Sequence, residues 1–287
     1  MHSEHPQKLE CALYVVATPI GNLRDITLRA LEVLAAADVI AAEDTRNTAY
    51  LLSQHGIGTN RLMTLHRHNE RGAAEKIIAR LQAGQSVAVV SDAGTPGISD
   101  PGALLVRAVR AAGLRIVPVP GASAVMAALS AAGLDEPQFL FYGFLPNKPA
   151  ARTAALAALS GCSCTLVFYE APHRIVASVA DMCAVLGGGR QIVLAREITK
   201  QFETIHVCAL HEAEAWLRSD SNRQRGEFVV LVSGAAPRTG LSEETLAALS
   251  HLLDEVPLKQ AVRLAAKITG ANRSELYQRA LQIKGPA

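Results

Sequence analysis

Short apolar runs of four or five residues recur through the first half of the chain. Each leads into a loop of small, charged or Gly/Pro residues and then into a helical pattern. The runs at 13–17, 38–42, 62–65, 86–90 and 115–119 read as buried strands. Helical patterns follow at about 27–36, 70–83 and from 103 onward. Such β-loop-α alternation confines the chain to an α/β fold over about 11–133, and a parallel sheet brings every post-strand loop to one edge. Open α/β sheets bind ligands at that edge. The loop at 91–102, SDAGTPGISDPG, is the richest in glycine and proline. Glycine lets backbone approach a ligand closely, and proline fixes the loop's shape. The loop carries Asp92 and Asp100 and no Lys or Arg. A phosphate seeks bare N–H groups or a cation, so this loop suits a neutral or cationic small molecule better. A second reading makes it a stiff strand-to-helix connection, with Asp100 or Ser99 as helix N-cap.

The other post-strand loops leave similar pairs of readings open. Glu43, Asp44 and Arg46 either cap the next helix as an ion-pair cluster or stand on the rim of a cleft. His66 and His68 are separated by one residue, but no further ligand lies at metal spacing, which favours substrate contacts or a cap for the helix at 70–83. The junction after Pro120, Gly-Ala-Ser-Ala, has side chains small enough to admit a nucleoside or to let a helix pack closely. No G-x-G-x-x-G, P-loop or G-x-S-x-G signature is present, which argues against nicotinamide enzymes, P-loop NTPases and Ser-His-Asp hydrolases.

The apolar run at 138–145 ends at Pro146 and Pro149, which we read as a boundary between a first lobe (11–145) and a second (150–233). The second lobe is expected to be α+β with a mixed sheet. Its helices are expected at 150–160 and 173–186, and its strands at 165–169, 192–195, 201–207 and 226–232. Glu170, His173 and Arg174 form either a salt-bridge knot or part of a cleft between lobes. A linker at 235–240 precedes a helical, helix-turn-helix-like tail at 241–287. From Pro257 onward the tail holds six basic residues and one acidic, a net of +5. Lys259, Arg263 and Lys267 recur every four residues on one helix face, suited to phosphates or simply to solvent.

A net charge of +2 over 287 residues argues against a chain coated for generic nucleic-acid binding, while leaving room for a local patch. Five cysteines without zinc spacing read as free thiols of a reducing compartment. No apolar run approaches a membrane span and the N-terminus has no signal-peptide core, so a cytoplasmic protein is expected.

Several longer motifs occur in order: YVVATPIGNL at 14–23, AEDTR at 42–46, HNE at 68–70, the 91–102 loop, FYEAPHR at 168–174 and AREITK at 195–200. Together they resemble the ribosomal RNA small-subunit methyltransferases of the tetrapyrrole (corrin/porphyrin) methylase superfamily, over roughly 12–233. The tail resembles that family's helical C-terminal extension. Residues 208–225 match nothing specific, Pro149 stands where a small flexible residue is expected, and the loop after Pro120 lacks an expected proline after its glycine. The resemblance implies a two-lobed tetrapyrrole methylase-like (class III methyltransferase) fold with a small helical C-terminal extension. It implies S-adenosylmethionine as donor, bound between the lobes, no metal, and a homodimer. It also implies 2′-O-methylation of a cytidine ribose in the decoding centre of 16S rRNA, in the small ribosomal subunit.

By motif position, Pro19, Asp92, Gly94, Thr95, Ile98, Ser123 and Ala124 would line the donor site from the first lobe. Tyr169, Arg196, Gly226 and Phe228 would line it from the second. A ribose hydroxyl needs a general base, for which Glu43, Glu170, a neutral Lys200 or His66 are candidates. Arg46 and Arg174 would hold flanking phosphates, and Lys148, Arg152, Lys259, Arg263 and Lys267 would contact RNA. The alternatives are methylation of a small tetrapyrrole, or a non-catalytic ribosome-binding factor.

Overall fold

The computed structural model describes residues 8–236, 241 and 243–284. Most of the tail expected before residue 11, and most of the linker expected at 235–240, lie outside them. Strand and helix alternate first as β1 (Leu13–Val16), α1 (Leu28–Ala36), β2 (Val39–Ala42), α2 (Thr45–Gln54) and β3 (Leu62–Thr64). They continue as α3 (Glu70–Gln82), β4 (Val87–Val90), α4 (Ala103–Ala111), β5 (Ile116–Val119) and α5 (Ala124–Ala132). The five strands form one parallel sheet in the order β3-β2-β4-β1-β5. Period-two alternation explains why both faces are apolar. Tyr14, Val16, Ile40, Ala42, Ala88 and Val90 pack with α1 and α2, while Leu13, Val39, Ala41, Val87 and Val89 pack with α3 and α4. Connections after β1 and β2 run toward the β3 edge, and those after β3 and β4 run back toward β5. The loops after β1, β4 and β5 therefore emerge side by side, where ligand crevices form.

A second sheet follows, with β6 (Phe139–Phe144), α6 (Pro149–Leu159), β7 (Thr165–Glu170), α7 (Ile175–Leu186) and β8 (Gln191–Arg196). It is completed by β9 (Thr204–Ala209), α8 (Leu210–Arg218) and β10 (Phe228–Val232). Its order is β6-β7-β10-β8-β9, with β6 and β7 parallel and the other pairs antiparallel. β6 precedes the Pro146–Pro149 break but hydrogen-bonds to β7. Pro149 is the first residue of α6, where a missing N–H leaves no helical bond unmade. Helices α6, α7 and α8 cover one face of this sheet. The other face is covered by α5, whose Val125, Ala128 and Ala132 pack on Val167, Val193, Ala195, Val229 and Leu231. A fully buried aliphatic side chain such as Val125 contributes about 1.5–3 kcal/mol, so α5 is a substantial clasp between the two sheets. α8 fills the stretch for which the sequence suggested no element.

A separate compact unit begins at Ala235. It holds α9 (Glu243–Glu255), α10 (Leu258–Thr269) and α11 (Arg273–Lys284) around Leu249, Leu253, Ala261, Val262, Ala265, Leu276 and Ala280.

The loop at 91–102 is fixed at its far end by a residue from α3. The N-cap of α4 is Gly102, which has no side chain to cap with. The buried Glu70 supplies the acceptor: its Oε1 takes the N–H groups of Gly102, Leu104 and Leu105 at 2.9, 3.0 and 3.2 Å. Asp100 and Ser99 stand too early in the chain for the capping role expected of them. One carboxylate thus satisfies three orphan donors and meets the positive end of the helix dipole. Glu70→Ala is expected to lower the unfolding free energy by about 2–3 kcal/mol and to speed amide exchange at Gly102, Leu104 and Leu105, while Glu70→Gln loses less. Urea denaturation and hydrogen exchange check this. Unchanged exchange at those three amides would contradict it.

Candidate active site

Three first-lobe loops are joined by hydrogen bonds. Thr18 and Gly94 exchange N–H···O bonds of 2.9 and 3.0 Å, and Thr95 Oγ1 donates to the Ala122 carbonyl at 3.2 Å. Gly94 has φ +77, and an added Cβ would lie 3.5 Å from Ile20 Cγ2 and 3.8 Å from the Ala122 carbonyl oxygen. The chain can turn here without strain only because the residue is glycine. These loops form one wall of a cavity of about 330 Å³. The ends of β6, β7, β8 and β10 form the other. Gly94, Thr95, Ile98, Ser123 and Ala124 line it from the first lobe, and Tyr169, Glu170, Lys200 and Phe228 line it from the second. The volume falls in the range of small-molecule sites.

Not every expected donor residue reaches that wall. Pro19 is buried beside Ile20, which does line the cavity. Asp92 is exposed, and its Oδ1 accepts the Asp44 N–H at 3.0 Å. The buried Arg196 guanidinium donates to the Arg225 and Phe202 carbonyls at 2.6 and 3.0 Å, which pins the chain behind the cavity. Gly226 (φ +86) lies against Glu197, whose Cγ would be 2.4 Å from an added Cβ. Its smallness is what lets Glu197 fold inward.

The cavity is rich in carboxylates. Asp100 lines it, and burial, followed by the negative charge of Glu43, pushes its carboxyl up to about 6. Burial and then Asp92 raise Glu43 as well. Burial and then Asp100 raise the Tyr169 hydroxyl, which also meets the Val125 N–H. Lys200 lies between Glu197 and Glu227, at 2.9 and 2.7 Å. Burial opposes its charge, but the two carboxylates outweigh that, so its pKa is raised. It is a held cation, which corrects the expectation of a neutral Lys200 base. Ser99 and Glu197, both on the cavity wall, have φ of 66° and 50° without being glycine. Each such conformation costs about 1–3 kcal/mol, and functional sites are where such strain collects.

Glu170 is divided between structure and cavity. Its Oε1 accepts the Ala171 N–H at 2.8 Å and also pairs with Arg174 Nε. Arg174 is further tied to the Leu145 carbonyl and to Asn147 Oδ1, so it serves as the expected salt-bridge knot and not as a free phosphate ligand. Glu170 Oε2 is fully buried and has no hydrogen-bond partner among the described residues. A buried carboxylate oxygen without a donor is costly, and such groups collect at functional sites.

The remaining candidates lie elsewhere. Glu43 stands beside Asp92 and Asp100 but off the cavity wall. Arg46 is exposed, paired with Asp44 at 2.6 Å, and lines an open groove beside β3. His66 is off the wall, with its Nδ1 buried and without a hydrogen-bond partner among the described residues. Arg152 is buried and paired with Asp181 at 2.6 Å, which corrects its expected place on an RNA surface. Lys148 is exposed at the N-cap of α6, and Lys259, Arg263 and Lys267 lie on the exposed side of α10. Among the described residues, no cluster of three or more His, Cys, Asp or Glu side chains is arranged to hold a metal.

Sequence reasoning missed Asp100 as a cavity residue, although SDPG was in view, and missed Glu197 and Glu227 altogether. The cavity joins acidic acceptors to apolar and aromatic surface from Ile98, Tyr169 and Phe228. That combination fits a donor carrying a positive charge and an aromatic base.

The family model for Tetrapyrrole (Corrin/Porphyrin) Methylases matches residues 12–214, and the RsmI C-terminal HTH domain model matches 239–284. The chain is 54% identical over 276 residues to ribosomal RNA small subunit methyltransferase I of Pseudomonas aeruginosa, covering 95% of this chain and 98% of that protein. It is 52% identical over 274 residues to the protein of the same name from Escherichia coli O157:H7, covering 95% and 96%. The solved structure of a cobalt precorrin-4 methyltransferase superposes with a TM-score of 0.59 at 16% identity, covering 78% of this chain and 95% of that one. At that identity the likeness is one of fold.

The raised carboxyl of Asp100 fixes the sign of a pH effect. Its proton is held more tightly folded than unfolded, so the associated stability is present below about pH 4 and is lost as pH rises through about 6. Asp100→Asn is expected to gain in melting temperature relative to the natural protein between pH 5 and pH 8. A constant offset between the two melting curves across that range would contradict it.

Proposed function

From the premise that the chain belongs to the tetrapyrrole (corrin/porphyrin) methylase family, among the ribosomal RNA small subunit methyltransferases I, we propose its reaction. It transfers the methyl group of S-adenosylmethionine to the ribose 2′-hydroxyl of a cytidine in the decoding centre of 16S rRNA, acting in the cytoplasm as a homodimer. The observation that carries this reading is the cavity walled by the three first-lobe loops and the second sheet, with Asp100 and Glu170 among its lining residues.

S-adenosylmethionine supplies an electrophilic methyl group on a positively charged sulfur. Asp100 and Glu170 give that charge surroundings of opposite sign. Ile98, Tyr169 and Phe228 keep water from the donor side. Methyl transfer is an in-line displacement, so the rigid loop wall contributes chiefly by alignment, which is worth up to about 7–11 kcal/mol in the best cases.

The attacking hydroxyl must lose its proton. Glu170 Oε2 accepts it, while Arg174 on Oε1 holds the carboxylate in place. Glu43 is the second candidate base, set back behind Asp92 and Asp100. The exposed Lys148 and the Lys259, Arg263 and Lys267 face of α10 meet RNA phosphates.

Labelled donor is offered to assembled small subunits lacking the modification, to naked 16S rRNA and to a tetrapyrrole precursor. Label at a ribose of the subunit or rRNA is expected. Label on the tetrapyrrole alone would overturn the substrate, and no donor binding by calorimetry would favour a binding factor. Glu170→Gln is expected to cut kcat by about 10²-fold or more with donor affinity unchanged. If Glu170→Gln turns over normally while Glu43→Gln does not, the proton goes to Glu43 instead.

A further inference from the structure

The open groove beside β3 has a volume of about 1410 Å³ and is bounded by α2, the edge strand β3 and α3. Its charged lining is of one sign: Arg46, Lys76 and Arg80, with no Asp or Glu. Lys76 and Arg80 are four residues apart on α3 and both exposed, on the flank of the face that buries Ile77 and Leu81. Among the described residues Lys76 has no ion-pair partner, and Arg80 bonds only the neutral Gln85, at 3.2 Å. Arg46 is partly offset by Asp44.

The groove runs along β3 from the sheet edge that carries the cavity to the opposite edge, where Thr59, Arg80 and Gln85 line it. Thr45 and Asn69, where α2 and α3 begin, both line it. Both helix starts are tied to the 91–102 loop. Asp92 Oδ1 accepts the Asp44 N–H at 3.0 Å, and Arg67 Nη2 donates to the Ser99 carbonyl at 2.6 Å. The cavity on the other side of that loop carries Asp100, Glu170, Glu197 and Glu227. Four carboxyl groups repel phosphates, so a polyanion whose ribose enters the cavity must lay its neighbouring phosphates elsewhere. The cationic groove is continuous with that edge.

We infer that this groove carries the phosphate backbone of the RNA strand flanking the target nucleotide, with Lys76 and Arg80 as its principal phosphate contacts. The inference rests on the proposed rRNA substrate. Phosphate contacts position the strand and add affinity without reading sequence.

The full-length protein and its Lys76→Ala/Arg80→Ala variant are compared in two assays. One is binding to 16S rRNA across a salt series, and the other is methyl transfer to unmodified small subunits. The expected variant binds rRNA about ten-fold more weakly, and its log-affinity against log-salt slope is shallower by about 1–2. It shows a raised KM with unchanged kcat and donor affinity, and Lys76→Arg/Arg80→Lys restores binding.

Equal rRNA affinity and equal slope in the natural protein and the variant would overturn the inference. So would a defect confined to binding a ribosomal protein. If the natural protein binds rRNA but methylates none, the substrate reading fails, and the salt slope still decides the groove.

Discussion

Three backbone N–H groups at the start of α4 converge on one buried oxygen of Glu70. The cavity wall depends on that convergence. The 91–102 loop leaves β4, exchanges hydrogen bonds with the loop after β1, contacts the loop after β5, and returns into α4. Without an acceptor at Gly102 its far end would carry unsatisfied donors in the interior, and the turn through Ser99 and Asp100 would lose its anchor. Glu70 in turn belongs to a helix whose adjoining side lines the groove beside β3. One side chain therefore joins the placement of the donor loop to the placement of α3.

The molecule separates its charges by task. Carboxyl groups gather in and behind the cavity between the two sheets: burial and the nearby Glu43 raise Asp100 on its wall, and burial and Asp92 raise Glu43 behind it. The cations of that region are mostly spent on structure. Lys200 is held by Glu197 and Glu227, Arg174 by Glu170, and Arg196 by backbone carbonyls. Among the described residues Lys76 has no ion-pair partner and Arg80 bonds only Gln85, and both line the groove beside β3. An acidic pocket beside a basic track suits a cationic donor and a polyanionic acceptor meeting at one point.

Much of the first lobe was legible in the sequence because its signals are local. Short apolar strands and Gly/Pro loops placed the 91–102 loop and the loop after Pro120 at one edge, and the family motifs picked out Gly94, Thr95, Ile98, Ser123 and Ala124 within them. The family motifs extended that to Tyr169 and Phe228, and Glu170 was read from its place after the strand at 165–169. What stayed hidden depends on distant partners. Nothing near 139–144 indicates that β6 pairs with β7, and nothing near 152 indicates that Asp181 will bury Arg152. Glu70 reads as the first turn of its own helix, yet its carboxylate caps another. Asp100 looks like a cap residue until the second lobe and Glu43 desolvate and oppose it. Lys200 looks like a free amine until Glu197 and Glu227 close on it from two different segments.

The central claim is that the carboxylate-lined cavity receives the donor while the basic surfaces receive RNA. A crystal structure of the full-length protein soaked with S-adenosylmethionine tests it most directly. The account predicts density for the donor against the Gly94–Thr95 backbone, with its sulfur on the same side as Asp100 and Glu170. Donor bound elsewhere, in the groove beside β3 or against the tail helices, with the cavity left to solvent, would contradict it.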